Sequence, residues 1–373
     1  MFHPPFCPNK ECRNHHLSTK TAAWYVRNGS YSSRLFGRIQ RFRCLCCGTG
    51  FSSQTFSLDI FVKKKVPYWR IFSHLITSSG IRDTARLLRV SPNTVNNRIS
   101  RMARQAIAIH ASLSSLISLQ EDLVADGFES FVYSQYFPNN INLLAGKESQ
   151  FWFTSDYSHL RRKGRMTEYQ KKKNHQIQKR FPVHRRSIYR SFQDLVRFSL
   201  DLREKSSRSS VTLFTDEHPQ YVRVMCDLPR EERGLITHRR INSKLPRTVQ
   251  NDLFSVNYLD REIRKDNSDH TRETVQFARN ANNCMERLAV YRLYHNYIKP
   301  YRIGKREESR KTHAEWAGIP AQRIASEMKT VFTRRRFFSR SRWLSSSDIV
   351  IWLRGISTPM KQMAEYLPAY SWA

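Results

Sequence analysis

Two acidic residues interrupt apolar, strand-like runs, Asp126 in LVADGF and Asp216 in LFTDEH, and this pair constrains the fold more than any other feature. An ionised carboxylate in an apolar strand is costly unless a metal or cation compensates it. One strand-end aspartate is weak evidence, because such residues also cap turns. Two fit adjacent strands that present a pair of ligands. EDLVADGFESFVYS alternates as a strand does, INLLAG and SQFWFTSDYS read as two more, and SIYRSFQDLVRFSLDLREKSS has helical spacing before the fourth strand, VTLFTDEH. Three neighbouring strands, a helix, a strand and further helix make an α/β order.

Carboxylate oxygens on separate elements suit hard divalent cations. Two such ions, magnesium or manganese about 4 Å apart, activate the attacking oxygen and steady the leaving oxygen in phosphodiester chemistry. A third ligand is expected from FSVNYLDREIRKDNSDHTRETVQFARN. Its glutamates are Glu262 and Glu273, with Asp260 and Asp266 nearby. Asp269 is placed to cap a helix beginning at HTRE, which sets Glu273 in its first turn, so Glu273 ranks first. Glu262, in the charged DREIRKD stretch, equally suits a surface ion pair and is the alternative.

The charge balance points to the substrate class. The chain of 373 residues has 64 Lys and Arg against 31 Asp and Glu, a net +33. That is a polyanion binder's balance. Ribosomal proteins, heparin binders and membrane-surface proteins share it, but here the positive residues run through the whole chain instead of forming one tail, which favours nucleic acid. The densest run, RRKGRMTEYQKKKNHQIQKRFPVHRR at 161–186, reads either as a solvated loop or as a DNA contact. No run of 18 apolar residues occurs, and MFHPPFCPNKEC lacks a signal peptide's layout, so a cytoplasmic or nucleoid location with no membrane contact is expected.

Five of the seven cysteines lie in the first 47 residues. That crowding and the odd count favour a local metal site over disulfides. Cys7 with Cys12 and Cys44 with Cys47 supply four thiolates for a structural zinc, with Gly48 allowing the tight turn behind the second pair. Cys46 is a spare that competes with its neighbours, and His15 or His16 is an alternative ligand. The segment between, AAWYVRNGSYSSRLFGRIQRFRC, reads as short strands and turns.

Further on, IRDTARLLRVSPNTVNNRISRMARQAI reads as two helices about a turn at Val90 and Ser91, the second opening with Pro92. In a helix-turn-helix the second helix enters the major groove, which makes Asn93, Thr94, Asn96, Asn97 and Arg98 the candidate base and phosphate readers. ASLSSLISLQ reads as a connector.

CPN…C with RFRCLCCGTGFS, IRDTARLLRVSPNTVNNRI, DGFESF, TDEHPQY and HTRETVQFARNANNCMERL ending in YHNYIKPYR together resemble the bacterial insertion-sequence transposases of the DDE type, from residue 1 to about 305. The resemblance implies a zinc ribbon over 1–60, a three-helix helix-turn-helix domain over 61–112, and a ribonuclease H-like α/β catalytic domain with a mixed sheet over 120–305. A basic helical region follows over 306–373, where TRRRFFSRSRW suits either phosphate stacking or a subunit interface. It also implies metal-dependent cleavage and transfer of double-stranded DNA, element ends and target, by a homo-oligomer using Asp126, Asp216 and a glutamate. The His270–Thr271–Arg272–Glu273 run is close to a family pattern, with shorter spacing. Arg272 and Arg279 then flank the expected catalytic helix and are placed to touch the scissile strand.

Overall fold

A computed structural model describes residues 2–16, 24–302, 310–359 and 365–372. Of the expected first module, 1 and 17–23 lie outside them, and of the expected C-terminal region, 306–309, 360–364 and 373. The chain opens with a short helix α1 (Arg13–His16) and strands β1 (Tyr25–Ser33), β2 (Gly37–Cys44) and β3 (Gly50–Ser52), an antiparallel sheet in the order β1-β2-β3. Phe6, Trp24, Phe42, Phe51 and Phe56 build a small core of their own around the buried cysteines. So small a unit buries little apolar area. Phe337, from far along the chain, completes it.

The next helices are α2 (Tyr68–Leu75), α3 (Ile81–Leu87) and α4 (Pro92–Ser114). Ser91 starts α4 where expected: its Oγ accepts the Thr94 N–H at 3.2 Å, and Pro92 fills the first turn. The expected connector instead supplies the end of this helix in its first four residues, because Ala111, Leu113 and Ser114 are buried in the main core. Tertiary burial overrides the weak helix preference of a serine-rich stretch.

A five-stranded mixed sheet follows: β4 (Leu123–Phe131), β5 (Pro138–Gly146), β6 (Trp152–His159), β7 (Val211–Thr215) and β8 (Ile236–Arg240), in the order β6-β5-β4-β7-β8. β5 is antiparallel to β4 and β6, whereas β7 runs parallel to β4 and β8 parallel to β7. The fifth strand, ITHRR, is short, and only its first residue is buried, so it lacks a strong strand signal. Between β6 and β7 lie α5 (Glu168–Arg180) and α6 (Ser187–Lys205); α7 (Pro219–Cys226) and α8 (Arg230–Arg233) precede β8. After β8 come α9 (Phe254–Asp266) and α10 (Ala281–Tyr297), then α11 (His313–Trp316), α12 (Ala321–Met328) and α13 (Ser346–Trp352).

The pleat sorts the layers. α6 covers one face, where Asn142 Nδ2 donates to Ser191 Oγ at 2.8 Å. α4, α9 and α10 cover the other. There Arg264 of α9 lies over the Phe128 ring at 4.5 Å, and His110 of α4 bonds the Phe153 carbonyl at 2.8 Å. α4 and α10 run side by side in the same direction, joined by Ser100 to Glu286 at 2.7 Å and by Tyr297 to His110 at 2.9 Å. The helix that begins at the exposed Ser91 turn therefore continues into the sheet's core. One apolar cluster extends from Leu58 to Trp352.

The TRRRFFSRSRW stretch packs within the chain. Phe337 meets Phe6 edge-on at 5.0 Å, Arg340 lies 4.2 Å over the same ring and donates to the His15 carbonyl, and Ser339 reaches His15 Nε2 at 2.9 Å. No helix among the described residues is long and apolar enough to cross a membrane.

Candidate active site and metal centre

The four expected cysteines converge. One ligand atom from each of Cys7, Cys12, Cys44 and Cys47 lies within 4.8 Å of the others, with Sγ separations of 3.5 Å for Cys7–Cys47 and 3.8 Å for Cys12–Cys44. Four thiols on two knuckles suit a metal such as zinc. Burial pushes the Cys47 thiol up, but its hydrogen bonds to Thr49, Cys7 and Cys12 bring it to about 6, while burial and the neighbouring thiols raise Cys7 and Cys12, so the four share their protons unevenly. Cys46 is exposed and outside the group. His15 is committed elsewhere, its Nδ1 to the Cys7 carbonyl at 2.7 Å, and His16 bonds the Lys10 carbonyl at 3.1 Å.

At the sheet's centre, Leu123 pairs with Leu213 and Val124 with Phe214 across the parallel strands β4 and β7. Two residues further in the same register stand Asp126 and Asp216, so both follow from one alignment. Asp126 is raised to about 7, first by burial, then by the negative charges of Asp216 and Asp260, against the Gly127 N–H bond (2.7 Å) and Arg247. Like charges that oppose one another's ionisation are what a cation relieves. Asp216 Oδ1 accepts the His218 N–H at 3.0 Å, which fixes the carboxylate at the strand's end. Gly127 leaves room for Asn140 on the opposite face, where an added Cβ would collide with the Asn140 side chain. There Asn142 accepts from Asn140 (2.9 Å) and Tyr221 (2.7 Å), bracing the strands beneath the acids.

A third acid that acts on Asp126 is Asp260 of α9. Burial raises its pKa, while Arg264, 3.6 Å away, along with Arg247 and Arg272, oppose the rise. The buried residues of α9 are Ser255, Val256, Leu259, Glu262 and Ile263, with Asp260 half-buried beside them. Burial along the helix does not separate the two acids; their partners do, an arginine for Asp260 and lysines for Glu262. Among the described residues, the three aspartates do not form a set whose ligand oxygens all lie within 4.8 Å of one another.

Both expected third acids lie elsewhere. Glu262 is buried in ion pairs with Lys299 and Lys265, the latter at 3.2 Å. Glu273 is exposed at φ +55° in the loop 267–280, and the helix expected at HTRE does not form. Side chains capture the backbone there: Asn267 Nδ2 donates to the Ile263 carbonyl (3.2 Å) and Thr274 Oγ1 to the Ser268 carbonyl (2.6 Å). The helix starts instead at Ala281, where Asn280 accepts from the N–H groups of Asn282 and Asn283. Asp269, the expected cap, is buried beside Arg287 at 3.1 Å.

Arg272 is exposed in that loop but stands close enough to Asp260 to affect its ionisation, and Arg279 is exposed near the start of α10. Arg247, Arg261, Arg264 and Arg272 line a cavity of ≈ 380 Å³ together with Tyr258 and Asp260. Four cations around one carboxylate give this cavity, beside the acids, a net positive lining suited to phosphate. The 161–186 run is half helix: α5, opened by a Thr167–Gln170 capping box, buries only Ile177 and leaves most of its lysines in solvent.

On α4, Asn93 and Asn97 are exposed, Asn96 is half-buried, and Thr94 is half-buried with its hydroxyl 2.9 Å from Ser91 Oγ. Arg98 turns inward. It lies on the same side of the helix as Val95 and Met102, donates to the Lys64 carbonyl at 2.9 Å and sits 5.8 Å over the Tyr68 ring. The three asparagines share the wall of a cavity with Glu365, Tyr366 and Tyr370. No family model matches the chain, and no curated protein matches it.

Proposed function

We propose that this chain is a DNA transposase of the DDE type in which an aspartate takes the glutamate's place. Asp126, Asp216 and Asp260 would hold two magnesium or manganese ions, the ions supplying an activated oxygen nucleophile and a stabilised leaving group on DNA phosphates. The single observation that carries the reading is the place of Asp126 and Asp216 at matching positions of the paired strands β4 and β7, with Asp260, which lines an arginine-rich cavity, close enough to raise Asp126. The element order, three strands, helix, strand and further helix, supports a ribonuclease H-like catalytic domain, and the Cys7/Cys12/Cys44/Cys47 group supports a zinc ribbon ahead of it. The α3–α4 turn supports a helix-turn-helix, with Asn93 and Asn97 as the residues best exposed for base contact.

In this reading the chain acts as a homo-oligomer on double-stranded element ends and target, in the bacterial cytoplasm. A zinc-ribbon regulator would need the first 112 residues alone and gives no role to the buried Asp126, whose carboxyl is raised by burial and by the charges of Asp216 and Asp260. The test uses labelled DNA carrying the sequences that flank the gene. Asp126→Asn should leave binding intact and abolish magnesium-dependent cleavage and strand transfer. A wild-type protein that binds these ends and cuts nothing under any divalent ion would instead support a regulator or an inactive descendant.

A further inference from the structure

Four residues beyond Asp126 on the same face of β4, Ser130 meets a second group of metal-binding side chains. Asp269 and His270, from the loop after α9, and Cys284, in the first turn of α10, bring one ligand atom each within 4.8 Å of one another. His270 Nε2 stands 3.7 Å from Cys284 Sγ and 3.8 Å from Asp269 Oδ2. A tetrahedral ion with nitrogen, sulfur and oxygen ligands at about 2.0–2.3 Å sets them about 3.3–3.8 Å apart.

Two observations beyond proximity point into the group. Asp269 is 2 % exposed, yet its Oδ2 accepts no hydrogen bond and has ion-pair contacts alone, with Arg287 at 3.1 Å and His270 at 3.8 Å. On the far side of the imidazole, His270 Nδ1 is 3.0 Å from Ser130 Oγ. With the ring proton donated to that hydroxyl, the Nε2 lone pair faces Cys284 and Asp269, the arrangement by which a hydrogen-bonded outer partner orients a ligating histidine.

We propose that Asp269, His270 and Cys284, with a water as fourth ligand, form a second zinc site that fastens the 267–280 loop to α10, while His270 also bonds Ser130 of the strand carrying Asp126. The thiol and imidazole favour zinc over magnesium, which prefers oxygen ligands. Binding is an exchange without electron transfer: the Cys284 S–H bond breaks, its proton leaves to solvent, and the sulfur forms a bond to the ion. Before uptake, the charges of Asp269 and Arg287 cancel. Afterwards the ion, thiolate and carboxylate cancel and Arg287 leaves one net positive charge. With three protein ligands and that residual charge, this site binds more weakly than the four-cysteine site and gives up its ion to a chelator first.

The test counts metal on the full chain. Wild-type protein, saturated with zinc and then dialysed, should carry one equivalent more than Cys284→Ala or His270→Ala by elemental analysis. Graded chelation should remove that equivalent before the remainder. Cobalt substitution should add a thiolate-to-cobalt absorption that is missing in Cys284→Ala, distinguishing this ion from one held by the carboxylates. Should both variants fail to fold, wild-type protein still decides: cobalt titration must show a sulfur-ligated site beyond the four-cysteine one. Equal zinc content in wild type and a folded Cys284→Ala, or a single thiolate-bound cobalt in wild type, overturns the proposal.

Discussion

Asp260 and Glu262 stand two residues apart on α9 and face different surroundings: Asp260 faces Arg247, Arg264 and Arg272 near Asp126, while Glu262 is buried against Lys299. Opposite losses are therefore expected from similar substitutions. On the proposed function, Asp260→Asn should keep its fold and lose metal-dependent cleavage by about 10³-fold. Glu262→Gln leaves Lys299 without its buried partner and should cost about 3–5 kcal/mol of stability, with the folded fraction retaining its specific activity. Glu273→Gln should change neither. Thermal melts and single-turnover cleavage on the same preparations separate the three.

Asp126 gives stability a defined dependence on pH. Its folded pKa of about 7 lies above the usual carboxylate value, so between about 4 and 7 the native state holds a proton that the unfolded chain has lost. Stability therefore falls as pH rises through that window, and the penalty is full above pH 7. Asp126→Asn should match wild type near pH 4 and exceed it by a few kcal/mol, in order of magnitude, at pH 8. Magnesium at pH 7 should release protons and raise the melting temperature of wild type, and do less to the variant. Denaturant titrations across pH, with and without magnesium, check both statements.

How much of this the sequence carries differs by element, for physical reasons. The apolar runs before Asp126 and Asp216 place both acids, because Leu123, Val124 and Ala125 are buried in succession at the sheet's centre and β7 alternates up to Thr215. The four cysteines are legible because short spacings bring ligands together whatever the rest of the chain does. The third acid is harder. Glu273 followed from treating Asp269 as a cap, but capping is a competition, and Asn280 wins it while Asp269 pairs with Arg287, a residue 18 positions away. The inward turn of Arg98 was missed because a basic residue on a recognition-type helix invites a solvent-facing reading. Its carbonyl partner on Lys64 has no sequence signature.

Removing the metal from the four-cysteine group should act beyond the first module. Phe337 completes that module's core, and Arg340 holds its His15 carbonyl. Chelation, or Cys44→Ser, should unfold residues 2–16 and 24–60 and at the same time expose the 333–343 segment, since the unit cannot hold its apolar core without the staple. Limited proteolysis should then cut in both places together. Cleavage confined to the first 60 residues, with 333–343 still protected, counts against the coupling.

Arg98 and Asn97 are neighbours on α4 with opposite exposures, and DNA binding should tell them apart. Arg98 is 6 % exposed and bonded to the Lys64 carbonyl, so Arg98→Ala removes a charged donor and its contact over Tyr68 and should destabilise the α2–α4 region by about 1–3 kcal/mol. Its effect on affinity should vanish once the folded fraction is accounted for. Asn97 is exposed near the start of α4, where a side chain can reach a base edge. Asn97→Ala should leave the melting temperature unchanged, weaken binding to the preferred site by about 1–3 kcal/mol and relax preference at one base pair. Because it removes no charge, the slope of log affinity against log salt should stay the same. By contrast, removing a phosphate-contacting arginine lowers that slope by about one. A salt series on Asn97→Ala that shows a reduced slope with unchanged sequence preference would place the side chain on the backbone and take it out of base reading.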